Sequence, residues 1–270
     1  MTEPTPGTAP THVFAGAARL VDYWAIGYRR TWKGSAVSSF VNPLFYVVAM
    51  GVLLGDYVSA GPGQLDGASS YLAFIAPGLL AAQSMQTVFG ETTYPVMGMI
   101  KWQKTYFGMI ASPLSVREVI LGQLGFVLFR VGLTSAVFTL VMAPFGVYAT
   151  VWGAFLAYLV QFLVALAFAT PIFAFSAGLK NEAPFALLFR LGMIPLFLFS
   201  GAFFPISNLD PWMEALARAT PLWHGVDLTR MLTLDTVDVG TALVHVAYLA
   251  TLAVLGWFWA VRRLGRRLSV

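Results

Sequence analysis

Six stretches of this chain are apolar over about the length that a bilayer demands, and that feature constrains the fold more than any other. They lie at roughly 37–56, 71–92, 118–143, 151–178, 184–204 and 241–261. About 20 apolar residues, rising ~1.5 Å each as a helix, cover a hydrocarbon core ~30 Å thick. Gly61-Pro62-Gly63, Ala143-Pro144 and the proline-rich 205–240 segment separate the stretches, as breaks between helices do. A membrane β-barrel would show shorter, alternating segments instead. The chain therefore reads as an all-α polytopic membrane protein with six transmembrane helices and no soluble domain attached.

Composition supports that class. Only 10% of residues are charged and the mean hydropathy is +0.75, whereas a soluble domain carries about 25% charged residues. The net charge of +4 is modest and its basic residues do not gather on one face, so no nucleic acid is expected as a partner. Cysteine is absent, which removes disulfides and thiolate chemistry.

Lys and Arg at the connections set the orientation. The N-terminal segment holds Arg19, Arg29, Arg30 and Lys33, and the second connection holds Lys101, Lys104 and Arg117. Lys180 and Arg190 mark the fourth connection, and Arg262, Arg263, Arg266 and Arg267 the C-terminus. The opposite side has only Arg218 and Arg230. An even number of spans puts both termini on one side, so parity and charge agree on cytoplasmic ends and an inner-membrane location.

Residues 1–12 lack the basic start and apolar run of a signal peptide and read as a disordered cytoplasmic tail. Residues 13–34 form an amphipathic helix expected to lie in the headgroup plane. Phe14, Ala17, Ala18, Val21, Trp24, Ala25 and Tyr28 share a face opposite Arg19, Asp22, Arg29, Arg30 and Lys33, with Ile26 the exception. The six-span domain then covers 35–262, and 263–270 is a basic cytoplasmic tail.

Between spans two and three, Met99, Trp102, Tyr106, Met109 and Ile110 fall on one helical face, with Lys101 and Lys104 on the other. Pro113 ends that helix, and Ser115-Val-Arg-Glu118 is a capping box that starts the third span. A short cytoplasmic helix, or a second interfacial anchor, is expected there. Between spans five and six, Asp210-Pro211 starts a two-turn helix that Ala219-Thr220-Pro221 stops. Nothing in that region is long enough to cross, so 203–222 reads as a re-entrant hairpin on the outer side, covered by protein.

Chemistry is sparse. No Gly-x-x-x-x-Gly-Lys-Ser/Thr phosphate loop occurs among the four lysines. His12, His224 and His245 are too dispersed for a metal site, and no nucleophile triad or carboxylate pair can be argued. No catalytic residue and no metal is expected. Ionisable groups in spans are functional by default. Glu91 and Arg190 lie near cytoplasmic ends, while Arg130 sits about three turns into its span and needs a buried partner.

Three stretches carry a family likeness. The run Lys101-Trp-Gln-Lys-Thr-Tyr-Phe-Gly-Met-Ile-Ala-Ser-Pro-Leu114 resembles the cytoplasmic motif of ABC-2 type exporter permeases. More narrowly, it resembles the nodulation-type lipooligosaccharide permeases, which are related to the daunorubicin-resistance permeases. Pro195-Leu-Phe-Leu-Phe-Ser-Gly-Ala-Phe-Phe-Pro-Ile206 and Ala219-Thr-Pro-Leu-Trp-His-Gly-Val-Asp227 agree in order. The resemblance implies a half-transporter: a permease dimer served by two separate ATP-binding cassette subunits, which bind the ATP and magnesium. This chain itself would hold no cofactor. It further implies that Glu91, Lys101, Trp102, Lys104, Thr105 and Tyr106 couple to the ATPase, and that Phe203, Phe204, Pro205 and Trp212 belong to an outer gate. The cargo would be amphipathic or lipophilic: lipooligosaccharide, glycolipid or a drug. The alternatives are an ion-coupled carrier or efflux protein working without an ATPase, and a membrane-embedded enzyme or assembly factor.

Overall fold

The structure, a computed structural model, describes residues 13–46, 48–49 and 65–269. Among them every regular element is helical and no strand occurs. In chain order they are α1 (Val13–Tyr46), α2 (Tyr71–Thr92), α3 (Tyr94–Lys101), α4 (Thr105–Ile110), α5 (Val116–Met142) and α6 (Val151–Gly178). There follow α7 (Ala183–Leu187), a π-helical turn (Leu188–Met193), α8 (Ile194–Phe199), α9 (Pro211–Arg218), α10 (Pro221–Thr233) and α11 (Val239–Leu268). Among the described residues four helices are long and apolar enough to cross a membrane: Tyr71–Lys101, Val116–Phe145, Val151–Gly178 and Val239–Leu268.

Polar N-caps start these helices. The hydroxyls of Ser70 and Thr150 accept from the amides of Ala73 and Gly153. Asp238 accepts from Thr241, and Thr220 from Trp223 at the start of α10. The expected capping box forms at α5: Ser115 accepts from the Glu118 amide while the Glu118 carboxylate accepts from the Ser115 amide at 2.7 Å. Each cap satisfies orphan amides that neither lipid nor the helix itself can serve.

In lipid, apolar burial barely drives helices together, so close backbone approach does the work. A Cβ on Gly256 of α11 would collide with the Thr170 hydroxyl and lie 2.7 Å from Pro171 on α6. α11 accordingly buries a narrow stripe of His245, Leu249, Gly256, Ala260 and Leu264 and leaves Leu243, Val244, Leu255 and Phe258 exposed. α2 is the opposite case, buried along most of its length against α5, α6 and α10.

Four expectations meet a different arrangement. The amphipathic segment 13–34 is the first part of one continuous helix to Tyr46, and its apolar face rests on α5. Leu20 packs on Gly122, Val21 on Gly125, and Trp24 and Tyr28 on Phe126. Two glycines on α5 make the groove, so that face finds protein where headgroups are expected. The fifth stretch, 184–204, ends at Phe199, and its apolar helix of Ala183–Phe199 is broken by the π-turn. Pro195 removes a ladder hydrogen bond inside it, and ~25 Å of helix falls short of ~30 Å. The last helix extends to Leu268, so Arg262 to Arg267 ride on its final turns. α10, thirteen residues packed against α2 and α6, lies in a region where only the two-turn α9 is expected. The tail 1–12 and most of the first expected span beyond Tyr46 lie outside the described residues.

Candidate functional site

The connection between the first two described spans forms an elbow rather than one helix. α3 is buried on Val96, Met97, Met99 and Ile100 and stops at Lys101. Lys104 then takes a left-handed conformation, φ 52°, which turns the chain before α4. The single apolar face expected over 99–110 is therefore split. Met99 and Tyr106 point into the bundle, where the Tyr106 ring meets Phe173 of α6 at 6.3 Å. Trp102 turns outward and is 57% exposed, in a row of exposed residues from Lys101 to Lys104. Thr105 is half-buried. Lys101 donates to the Glu182 carboxylate at 3.0 Å, fastening the elbow to the α6–α7 loop. That hydrogen bond holds the Glu182 carboxyl below the ordinary carboxylate range.

Glu91 does not join the elbow. Its Oε1 lies 3.0 Å from Arg130 Nε, with the two side chains only 22% and 15% exposed. Arg130 and Glu91 are thus paired, and the Tyr28 ring of α1 covers the guanidinium at 4.5 Å. Gln123 donates to the Glu91 carbonyl at 3.4 Å. The pair spans 39 residues, so no spacing rule points to it.

A second polar network ties α2, α5, α6 and α10 at one level. Ser84 donates to Gln161 Oε1 at 3.0 Å and lies 3.2 Å from the Ser135 hydroxyl. Gln161 Nε2 donates to Thr229 at 3.1 Å and to the Ala157 carbonyl. All four side chains are buried. Small polar residues inside apolar runs are the only sign of this network in the sequence.

The α9–α10 end holds the remaining candidates. The Phe203 ring meets Phe197 edge-on at 4.9 Å, and its carbonyl accepts from the Tyr71 hydroxyl. Pro205 is buried, Phe204 half-buried, and Trp212 67% exposed. Trp212 and Leu216 of α9 form one wall of an apolar groove of about 550 Å³, with Leu191, Leu196 and Phe199 on the other. The buried Arg230 guanidinium donates to the carbonyls of Gly201 and Phe74, lies over the Phe74 ring at 4.0 Å, and sits 3.5 Å from Asp66. It fastens the hairpin to α2. Beside it, a polar cavity of about 220 Å³ is lined by Asp66, Ser207, Arg218, Trp223, Asp227 and Arg230 among others. His224 and His245, read from sequence as dispersed, are in direct contact here. Among the described residues no three His, Cys, Asp or Glu side chains are grouped to hold a metal ion.

Taken together, the arrangement has an exposed elbow at one end, sealed charges within the bundle, and a proline-broken hairpin at the other. That geometry can transmit movement along helices. Residues 19–234 match the family described as ABC-2 type transporter. Nodulation protein J of Rhizobium leguminosarum bv. trifolii is 31% identical over 97% of this chain and 98% of its own length. Nodulation protein J of Rhizobium meliloti (strain 1021) is 29% identical over 91% and 94%, respectively. The inner membrane transport permease YadH of Escherichia coli (strain K12) is 24% identical over 72% and 73%. With a family match over most of its length and four candidate spans in an all-helical frame, this chain belongs to the ABC-2 type transporter family and is a membrane-embedded permease.

Proposed function

We propose that this chain is the membrane subunit of an exporter driven by a separate ATP-binding cassette subunit. Two copies of the chain and two ATPase subunits form the working unit, and the ATPase binds the ATP and magnesium. The cargo is amphipathic or lipophilic, a lipooligosaccharide, glycolipid or drug-like molecule, and it leaves across the inner membrane. The domain has six spans: the four candidate spans, one over 37–56, and one assembled around Ala183–Phe199. Both termini and the elbow face the cytoplasm, and the α9–α10 hairpin faces outward.

The elbow is the observation that carries this reading. It is exposed at Lys101, Trp102, Gln103 and Lys104, yet anchored through buried Tyr106 and the Lys101–Glu182 pair. Coupling needs a rigid element whose position two sites both bias, and the elbow connects α2 directly to α5. Lys101, Trp102, Lys104 and Thr105 form the surface offered to the ATPase, Tyr106 is the anchor beneath, and Glu91 acts one step inward through Arg130. Phe203, Phe204, Pro205 and Trp212 close the outer end of the route.

An ion-coupled carrier needs a deep carboxylate free to exchange a proton. Glu91, the acidic side chain of α2, is tied to Arg130. Reconstitution of the chain in vesicles, with and without the ATPase and ATP, tests the proposal. Export is expected only with both. Substrate movement by the chain alone down a proton gradient would overturn it.

A further inference from the structure

Helices α10 and α11 meet through paired imidazoles. His224 Nδ1 lies 2.7 Å from His245 Nδ1, and both side chains are buried. His245 presents its other nitrogen, Nε2, to Asp227 Oδ2 at 2.9 Å. The His224 ring stacks on Tyr248 at 3.9 Å with the planes 19° apart, and the Tyr248 hydroxyl donates to the Ala219 carbonyl. Trp223 stands edge-on to both imidazoles at 4.9 and 5.1 Å.

Proton arithmetic restricts this contact. A hydrogen bond between two ring nitrogens needs one N–H and one lone pair. With Nε2–H of His245 donating to Asp227, one proton lies between the two Nδ1 atoms. His224 donates it to a neutral His245, or a cationic His245 donates it to His224. In either form Nδ1 faces Nδ1 across a single proton. A proton on His224 Nε2 leaves this contact intact, but a second proton between the two Nδ1 atoms sets N–H against N–H and, with both rings charged, puts two cations in contact, which Asp227 alone cannot offset.

The surrounding charges are few. On α9, Arg218 pairs with Glu214, and its guanidinium sits 5.5 Å from the Trp223 ring. Further along α10, Arg230 faces Asp66 from the segment before α2. On α11, Asp238 caps the helix start through Thr241. α2 contributes only Tyr71 and Glu91, the latter held by Arg130, and α6 has no acidic, basic or imidazole side chain, its one titratable group being Tyr158. Burial, reinforced by His245, pushes the His224 imidazole down to about 4.

We propose that the His224–His245 contact is a proton-operated latch that holds α10 on α11 at neutral pH and releases it in acid. Its regulatory meaning rests on the exporter reading: acidity outside the membrane would loosen the hairpin that closes the outer end of the route. Two-state elements biased by histidine protonation are the physical basis of pH switches.

The chain has no cysteine, so a spin-label pair can be placed at Leu216→Cys on α9 and Val244→Cys on α11, both exposed. The full chain in lipid nanodiscs, without ATPase, ATP or substrate, is measured by pulsed dipolar spectroscopy from pH 7.5 to 4. The expected result is a separation that widens by several ångströms, with a midpoint below the ordinary histidine value of about 6.5. His224→Phe keeps the ring stacked on Tyr248 and is expected to abolish the pH response. Asp227→Asn leaves both imidazoles in place and is expected to move the midpoint to lower pH. A separation constant over that range, or an unchanged response in either variant, overturns the latch. Because no transport is involved, a failure of export in vesicles removes the exporter reading and leaves this result standing.

Discussion

Replacing Glu91 by Gln preserves the shape of the side chain and strips the Arg130 guanidinium of its counter-charge. Two unit charges about 4 Å apart attract by about 4 kcal/mol at an effective dielectric constant near 20, and desolvation of both cancels part of that. Removing one member of a fully buried pair costs about 3–5 kcal/mol. Here the side chains are 15% and 22% exposed, and the Tyr28 ring remains 4.5 Å from the guanidinium, a contact worth about 0.5–2 kcal/mol. The expected loss for Glu91→Gln is therefore about 2 kcal/mol. Removing both charges, with Arg130→Met added, leaves no orphan charge and is expected to cost under about 1 kcal/mol. Reversible unfolding of the purified chain in mixed micelles gives the four-member cycle, with an expected coupling of about 1–2 kcal/mol. A double variant no more stable than Glu91→Gln alone would refute the reasoning, because the loss would then follow from shape and not from charge.

Gly256→Val is expected to lower thermal stability, by about 1–3 kcal/mol, since its side chain would collide with Thr170 and Pro171; Gly108→Ala, with nothing within 4 Å of the new Cβ, should be neutral in the same melt. Lys104→Glu combined with Thr105→Glu is expected to abolish ATP-driven export while membrane insertion and the helical circular dichroism spectrum stay unchanged; full export with normal ATPase binding would remove the elbow from the mechanism. The folded-state pKa of Glu182 is depressed by Lys101, so any stability from this pair is present above the ordinary carboxylate range and lost as pH falls through the folded value. In an NMR titration Lys101→Met should bring the Glu182 midpoint up towards 4.5, and high salt should do the same to a lesser degree in this exposed pair.

Helix class and most helix limits follow from local properties, which is why they can be read along the chain. Apolar runs of bilayer length mark α2, α5, α6 and α11, and Ser70, Ser115 and Thr150 cap the helices that begin beside them. The amphipathic face at Val21, Trp24 and Tyr28 is equally plain in the sequence, but its partner is not: α5 supplies it through Gly122 and Gly125. The turn at Lys104 also escapes periodicity, because a left-handed lysine leaves no compositional mark and splits a face that spacing alone makes continuous. Glu91 and Arg130 can each be picked out as ionisable groups in apolar runs, yet their union needs α2 and α5 to bring position 91 to the depth of position 130. The same holds for His224 with His245, and for Ser84, Ser135, Gln161 and Thr229. Hydropathy and capping depend on neighbours within a few residues, so the sequence alone marks the four long apolar helices α2, α5, α6 and α11, but neither α10 nor the break at Leu188–Met193. Partnership across helices depends on their relative depth and rotation, and the packing of all of them together sets those quantities.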